Sequence, residues 1–183
     1  MIKRFFQFSF ILVLIHTPLC GYFVCQKSPA SILSQAINEE VAREIAKRYG
    51  LDYVGFGGSV HDVIEKMSLS FACYREMSLD DYKRLVIHCT QDYLKKINGH
   101  QEAQQFLRPY PFDANHIELS IFVFDEKKRI LKGGKLTCIG VMKGNICYER
   151  VKKGRYMECF KVENFEEMKQ ERQRELLSLE CRR

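Results

Sequence analysis

The sequence lacks tryptophan, has only four prolines among its 183 residues, and contains neither a low-complexity tract nor an internal repeat. These absences argue against a compositionally biased chain and against a repeat architecture. Hydrophobic residues make up 46% of the chain and charged residues 28%, which is typical of a globular protein rather than a disordered one. We expect a single domain over residues 28–180, long enough to bury a sizeable core.

The sequence also lacks the motifs that bind nucleotides, zinc or RNA. A glycine-rich stretch at 55–59 is followed by Val60 where a dinucleotide-binding loop has its third glycine, so it predicts a turn or bulge. No His/Cys spacing matches a zinc site, and we expect neither a metal nor a cofactor. His88 and Cys89 are adjacent on a predicted helix and point in different directions, so no nucleophile–base pair can be assembled.

Residues 1–24 have the layout of a secretory signal peptide or an N-terminal anchor. Lys3 and Arg4 precede an apolar stretch at 5–15, which is too short to span a bilayer. We expect export to the periplasm, the envelope or the medium. If the leader is retained, residues 5–24 would contact the membrane and anchor the protein, and Cys20 or Cys25 could carry lipid.

The stretch His116–Asp125 predicts the central strand. Ile117, Leu119, Ile121 and Val123 alternate with Glu118, Ser120, Phe122 and Phe124, and the second face turns apolar towards its end. Such a strand belongs in the middle of a sheet, with a helix covering at least one side.

The neighbouring patterns predict the remaining elements. Ser28-Pro29 and Ser78 begin two amphipathic helices, and Asn164 begins a third. Further strands are predicted at 51–54, 66–75, 135–142, 146–151 and 155–162. The fold class is therefore α+β: a mainly antiparallel sheet of five or six strands, with two or three amphipathic helices packed on one face.

Basic residues are concentrated between residues 127 and 155, a segment that we call the basic rim. Residues 127–155 contain ten basic side chains and a single acid, Glu149, and their positions at strand ends and turns could gather them along one rim of the sheet. Such a rim could bind an anionic polymer or a lipid head group, although lysines at turns also prevent edge-to-edge aggregation. The candidate anion-binding residues are Lys127, Lys128, Arg129, Lys132, Lys135, Lys143, Arg150, Lys152, Lys153 and Arg155.

Two pairs of cysteines can be assigned a role from their positions in the predicted elements. A hairpin across Lys143-Gly144 would place Cys138 and Cys147 on one face, diagonal to each other, where they could form a disulfide. Cys73 and Cys89 fit small buried hydrophobic positions.

Three segments carry a resemblance to a known group: MSLSFACYREMSLDDYKRLVIHC (67–89), RPYPFDANHIELSIFVFD (108–125) and KGNICYERV (143–151). The chain resembles uncharacterised exported proteins of chlamydia-type intracellular bacteria over about residues 35–175. The resemblance implies a shared fold and export, and it implies no activity and no functional residues.

From these patterns we expect an exported envelope or periplasmic protein that does no chemistry and binds a partner, through the basic rim at 127–155. An envelope protein or an anionic polymer would be the partner. Two alternatives remain open at this point: a secreted thiol-dependent hydrolase, and a surface protein that binds an anionic polymer or lipid head group.

Overall fold

The computed structural model describes residues 27–131, 133–152 and 156–180. This part of the chain folds into one six-stranded sheet and four helices. The helices are α1 (Pro29–Tyr49), α2 (Leu79–Gly99), the short α3 (Gln101–Gln104) and α4 (Phe165–Glu180), and the strands are β1 (Asp52–Val60), β2 (Ile64–Cys73), β3 (Ile117–Val123), β4 (Leu136–Met142), β5 (Asn145–Val151) and β6 (Met157–Asn164).

The strands lie side by side in the order of the sequence, from β1 to β6. Every neighbouring pair is antiparallel except β2 and β3, which run parallel in the register Met67–Ile117 to Cys73–Val123. A parallel pair needs a crossover connection, and the segment containing α2 and α3 supplies it. The predicted α+β class with a mainly antiparallel sheet is confirmed, with six strands.

Helices α1, α2 and α4 begin where the sequence predicts. The Ser28 side chain accepts a hydrogen bond from the Ser31 amide at 3.2 Å, and Gly50 ends α1 in a left-handed conformation at φ 62°. The Ser78 side chain accepts from the Asp81 amide at 3.1 Å at the start of α2. The Asn164 side chain does the same for the Glu167 amide at the start of α4.

All the helices lie on one side of the sheet. Helix α1 packs on β1 and β2, and α2 packs on β3 and β4. Phe165 at the start of α4 is fully buried in the same core, and Met168 packs against it. Within the core a buried hydrogen bond of 2.5 Å from the Tyr93 hydroxyl to the Asn38 amide oxygen ties α2 to α1.

The central strand has the predicted alternation. Ile117, Leu119 and Ile121 are fully buried under the helices, while Glu118 and Ser120 on the other face are half-buried. Burying an aliphatic side chain of this size contributes about 1.5–3 kcal/mol to the stability of the fold. The contact between β3 and the helices above it is therefore a main source of that stability. The position of β3 between β2 and β4 confirms the prediction of a mid-sheet strand.

The glycine-rich stretch at 55–59 is part of β1 rather than a turn between elements. Its register with β2 shifts between Tyr53 and Gly55, which is the irregularity expected of a bulge. A Cβ at Gly58 would lie 2.2 Å from the Lys66 carbonyl oxygen, so a glycine is needed for the close approach of the two strands.

The predicted leader at 1–24 lies outside the described residues. Among the helices that the structure describes, none is long and apolar enough to cross a membrane.

Candidate functional site

The sheet face opposite the helices, here called the open face, has no helix over it within the described residues. Its side chains are those that alternate with the core positions of each strand. From β2 to β6 they include Ser68, Ser70, Ala72, Glu118, Ser120, Phe122, Cys138, Gly140, Met142, Cys147, Glu149, Val151, Met157, Cys159 and Val162.

The middle of the open face is built from small side chains. Ser70, Ser120, Gly140 and Cys147 stand side by side on β2, β3, β4 and β5. A Cβ at Gly140 would lie 2.5 Å from the Leu119 carbonyl oxygen, so the approach of β4 to β3 leaves no room for a larger residue. The result is a shallow groove of about 110 Å³, flanked by Glu118, Phe122, Met142 and Glu149 among others.

Three free cysteines lie on consecutive strands of the open face, and we call this set the cysteine row: Cys138 on β4, Cys147 on β5 and Cys159 on β6. Cys138 is buried, Cys147 is half-buried and Cys159 is exposed. Burial, with smaller contributions from Glu149 and Cys147, raises the pKa of the Cys138 thiol to about 12. Burial and the neighbouring Cys159 thiol raise the pKa of Cys147 as well.

The register of β4 and β5 places the predicted disulfide pair as the sequence suggests. Cys147 lies opposite Gly140, and Cys138 lies opposite Glu149, so the two cysteines are diagonal neighbours on one face. Both are free thiols in this structure. The disulfide between them stays a prediction.

The structure divides the basic rim between two ends of the sheet. Lys127, Lys128 and Arg129 follow β3, Lys135 precedes β4, and Arg150 and Lys152 lie at the end of β5. Because β3, β4 and β5 alternate in direction, these six lie towards the same end of the sheet. Lys143, in the turn between β4 and β5, lies at the opposite end, and Lys132, Lys153 and Arg155 fall outside the described residues.

Most of the charges at the first end of the sheet are paired within the chain. Arg129 contacts Asp125 at 2.7 Å, Lys135 pairs with Glu76, and the Glu158 carboxylate takes both Arg150 at 2.9 Å and Lys152 at 3.0 Å. The hydrogen bonds from Lys152 and Arg150 lower the pKa of Glu158.

Lys128 is engaged in a different way, because its ammonium lies 4.8 Å from the centre of the Tyr74 ring. Of the seven rim residues that the structure describes, four are therefore paired with acids outside the 127–155 window, and a fifth lies over an aromatic ring.

Strand β6 lies at one edge of the sheet, a position that its sequence pattern did not predict. Within the described residues it pairs only with β5, so its outer backbone groups form a free edge of the sheet. Its apolar side chains are exposed: Met157 by 47%, Phe160 by 38% and Val162 by 58%, with Tyr156 just before the strand exposed by 79%. The alternation of 155–162 predicted a strand, but no residue pattern marked it as the edge.

The arrangement offers little to nucleophilic catalysis. Cys89 is fully buried on α2, and burial raises its pKa far above the ordinary value for a thiol. His88, the adjacent residue, is exposed. In the described ranges no hydrogen bond joins a histidine to a cysteine, and no cluster of three His, Cys, Asp or Glu side chains could hold a metal ion.

Comparisons with known proteins add no relative: no family model, no curated protein and no solved structure matches the chain.

Proposed function

We propose that this is an exported, non-catalytic envelope or periplasmic protein that binds another protein at the free edge formed by β6. The supporting observation is that β6 combines outer backbone groups that pair with no other strand in the described part of the chain with exposed Met157, Phe160 and Val162. Free edges with apolar side chains are normally covered or blunted, because they accept a further strand. The partner is an extended polypeptide segment with apolar residues at alternate positions.

The edge strand supports this role better than the basic rim does. An added strand would pair with β6 and continue the open face beyond Met157 and Val162. The rim residues at the ends of β3, β4 and β5, in contrast, already hold Asp125, Glu76 and Glu158. Exposed ion pairs of this kind contribute little to stability, but they lower the charge left for a polyanion.

Site-specific photocrosslinking tests the docking edge. A photoreactive phenylalanine analogue is placed at Val162 of the full chain, and in a matched control at Ile32 on α1, which is exposed by 57% against 58% for Val162. We expect a discrete adduct in the native cell from position 162 and none from position 32. The crosslinked peptide, once identified and synthesised, is expected to bind the purified protein and to bind a Val162→Lys variant more weakly.

Equal adducts from both positions, or none from position 162, would refute the docking edge. Binding of the synthesised peptide that Val162→Lys leaves unchanged would do the same. Export is tested separately by the intact mass of the protein from its native cell. Export predicts the loss of a leader near residue 24 or the addition of a lipid. A full-length chain in the cytosol would contradict export.

The two alternatives predict different results. A thiol-dependent hydrolase would lose its activity when its cysteines are alkylated, whereas peptide binding at β6 does not require a reactive thiol. A polyanion-binding protein would be retained on a polyanion column in a strongly salt-dependent way, and charge reversal at Lys152 and Lys153 would weaken that retention. Neither alternative has a distinct observation in its favour.

A further inference from the structure

Two members of the cysteine row, Cys147 and Cys159, lie at the edge of the sheet, where the fold favours a disulfide between them. Cys147 stands opposite Val162 on β6, and two residues further along β5 Glu149 stands opposite Cys159. Cys147 and Cys159 are therefore diagonal neighbours on the open face. The Cys159 thiol is exposed and donates a hydrogen bond to the Lys161 carbonyl oxygen at 3.3 Å.

A bulge in β6 creates this pairing. From Asn145 to Tyr148 the register of β5 with β6 is regular, but it shifts between Tyr148 and Glu149 and skips Phe160. Had the regular register continued, Cys159 would stand opposite Arg150 and face the helix side of the sheet. The extra residue turns the Cys159 side chain onto the open face instead.

The edge position also decides between the two diagonal pairs of the row. Diagonal Cβ atoms in a sheet are usually farther apart than the roughly 3.5–4.5 Å that a disulfide requires, so one strand must move for the bond to close. Cys138 lies on β4, which is paired on both sides by β3 and β5. Cys159 lies on a bulged edge strand that, among the described residues, pairs only with β5, so β6 can adjust at lower cost.

We propose that Cys147 and Cys159 are a thiol-exchange site. By exchange with the small-molecule disulfides of an oxidising compartment, the two cysteines form an intramolecular disulfide that links the edge strand β6 covalently to β5. The proposal does not depend on the protein partner inferred above. It goes beyond that function because it assigns a modification site with a defined chemical reaction.

The reaction is a balanced thiol–disulfide exchange. The thiolate of Cys159, the exposed member, attacks one sulfur of a small disulfide R–S–S–R; the S–S bond breaks, and the leaving thiolate takes up the proton given up by Cys159. Cys147 then loses its proton and attacks the Cys159 sulfur of the mixed disulfide, and a second R–S⁻ leaves and is protonated. Two cysteine thiols are oxidised by two electrons in total, and R–S–S–R is reduced to two R–SH.

The sequence makes the test direct, because the three cysteines of the row fall in different tryptic peptides: Cys138 in 136–143, Cys147 in 144–150 and Cys159 in 156–161. The reduced full chain is equilibrated without oxygen in mixtures of oxidised and reduced glutathione, quenched in acid, alkylated with N-ethylmaleimide and digested without reductant. We expect a linked pair of peptides 144–150 and 156–161, in monomeric protein, that increases with the oxidised share and disappears on reduction.

Two variants serve as controls. Cys159→Ser, at the exposed position, should leave Cys147 open to alkylation at every glutathione ratio. Cys138→Ala should retain the link between 144–150 and 156–161, with the fold checked by circular dichroism.

The absence of the link between 144–150 and 156–161 at every glutathione ratio would overturn the proposal, and so would three other results. They are a dominant link between 136–143 and 144–150, a Cys159 that remains in a mixed disulfide with glutathione while Cys147 is alkylated, and a link found only in covalent dimers.

Discussion

The contact between Tyr148 and Glu163 joins the edge strand to the rest of the protein, and its removal should have a measurable cost. Tyr148 on β5 is fully buried on the helix side of the sheet, and its hydroxyl donates a hydrogen bond to the Glu163 carboxylate on β6. The same carboxylate receives Lys161 at 3.0 Å and Lys83 of α2 at 3.8 Å. Three elements, β5, β6 and α2, therefore meet at one carboxylate.

The change Tyr148→Phe removes the hydroxyl and keeps the ring. A hydrogen bond to a charged group contributes about 1.5–3 kcal/mol to stability. Because Lys161 and Lys83 still compensate the Glu163 charge in the variant, we expect a loss near the lower end, about 1.5 kcal/mol in the free energy of unfolding at neutral pH. The measurement is urea unfolding of the wild type and the variant, with the midpoint and slope compared.

The pH dependence of the stability loss in Tyr148→Phe shows whether Glu163 is the partner of the hydroxyl. Burial raises the pKa of Glu163, but the hydrogen bond from Tyr148 and the charges of Lys161 and Lys83 outweigh burial, so the folded-state pKa lies below the usual value for a glutamate. A group with a lowered pKa stabilises the folded state above its unfolded pKa and loses that contribution as the pH falls through its folded pKa. The difference between the wild type and Tyr148→Phe should therefore shrink in acid.

A double-mutant cycle with Glu163→Gln completes the test. The cost of Tyr148→Phe should be smaller in the Glu163→Gln background than in the wild type. A cost that is absent at neutral pH, or one that is equally large in acid and in the Glu163→Gln background, would refute the role given to this hydrogen bond.

Two further changes test the packing of the sheet and of its helix layer by the same unfolding measurement. Gly140→Ala should cost about 1–3 kcal/mol, because the new Cβ would meet the Leu119 carbonyl oxygen at 2.5 Å; an unchanged midpoint would contradict the close approach of β3 and β4. Tyr93→Phe should cost about 1–3 kcal/mol, since it leaves the buried Asn38 amide oxygen without its donor; recovery of the stability by a second change, Asn38→Leu, is expected, and its failure would count against this explanation.

The sequence predicted the elements of this fold well because their signals are local. The serines before α1 and α2 bind the first free amides, and the alternation from Ile117 to Val123 matches the buried face of β3. The parallel pairing of β2 with β3 was not predicted, because the period-two pattern of a strand is the same for either direction of its neighbour. The residue pattern of 66–75 alone therefore could not show in which direction the neighbouring strand would run.

The basic rim shows the limit of counting charge along the chain. The window from 127 to 155 excludes Asp125, Glu76 and Glu158, and those three carboxylates are the ones that pair with its residues. Glu76 is 59 positions from Lys135 in the sequence, so only the folded arrangement brings them together. A run of like charges in sequence predicts a charged surface only when its neighbours in space are known.

The same limit applies to the cysteine row, and there a single residue decides the outcome. Alternation along β6 would place Cys159 opposite Arg150 on the helix side, so no spacing rule applied to the sequence would pair it with Cys147. The bulge that skips Phe160 reverses that orientation, and it lies on the edge strand, where an extra residue disturbs only one set of backbone hydrogen bonds. The two proposals therefore share a physical origin: β6 accepts an irregularity because it is an edge, and as an edge it can also accept another strand. A disulfide between Cys147 and Cys159 would hold that edge in one position, so peptide binding at β6 should differ between the reduced and the oxidised protein.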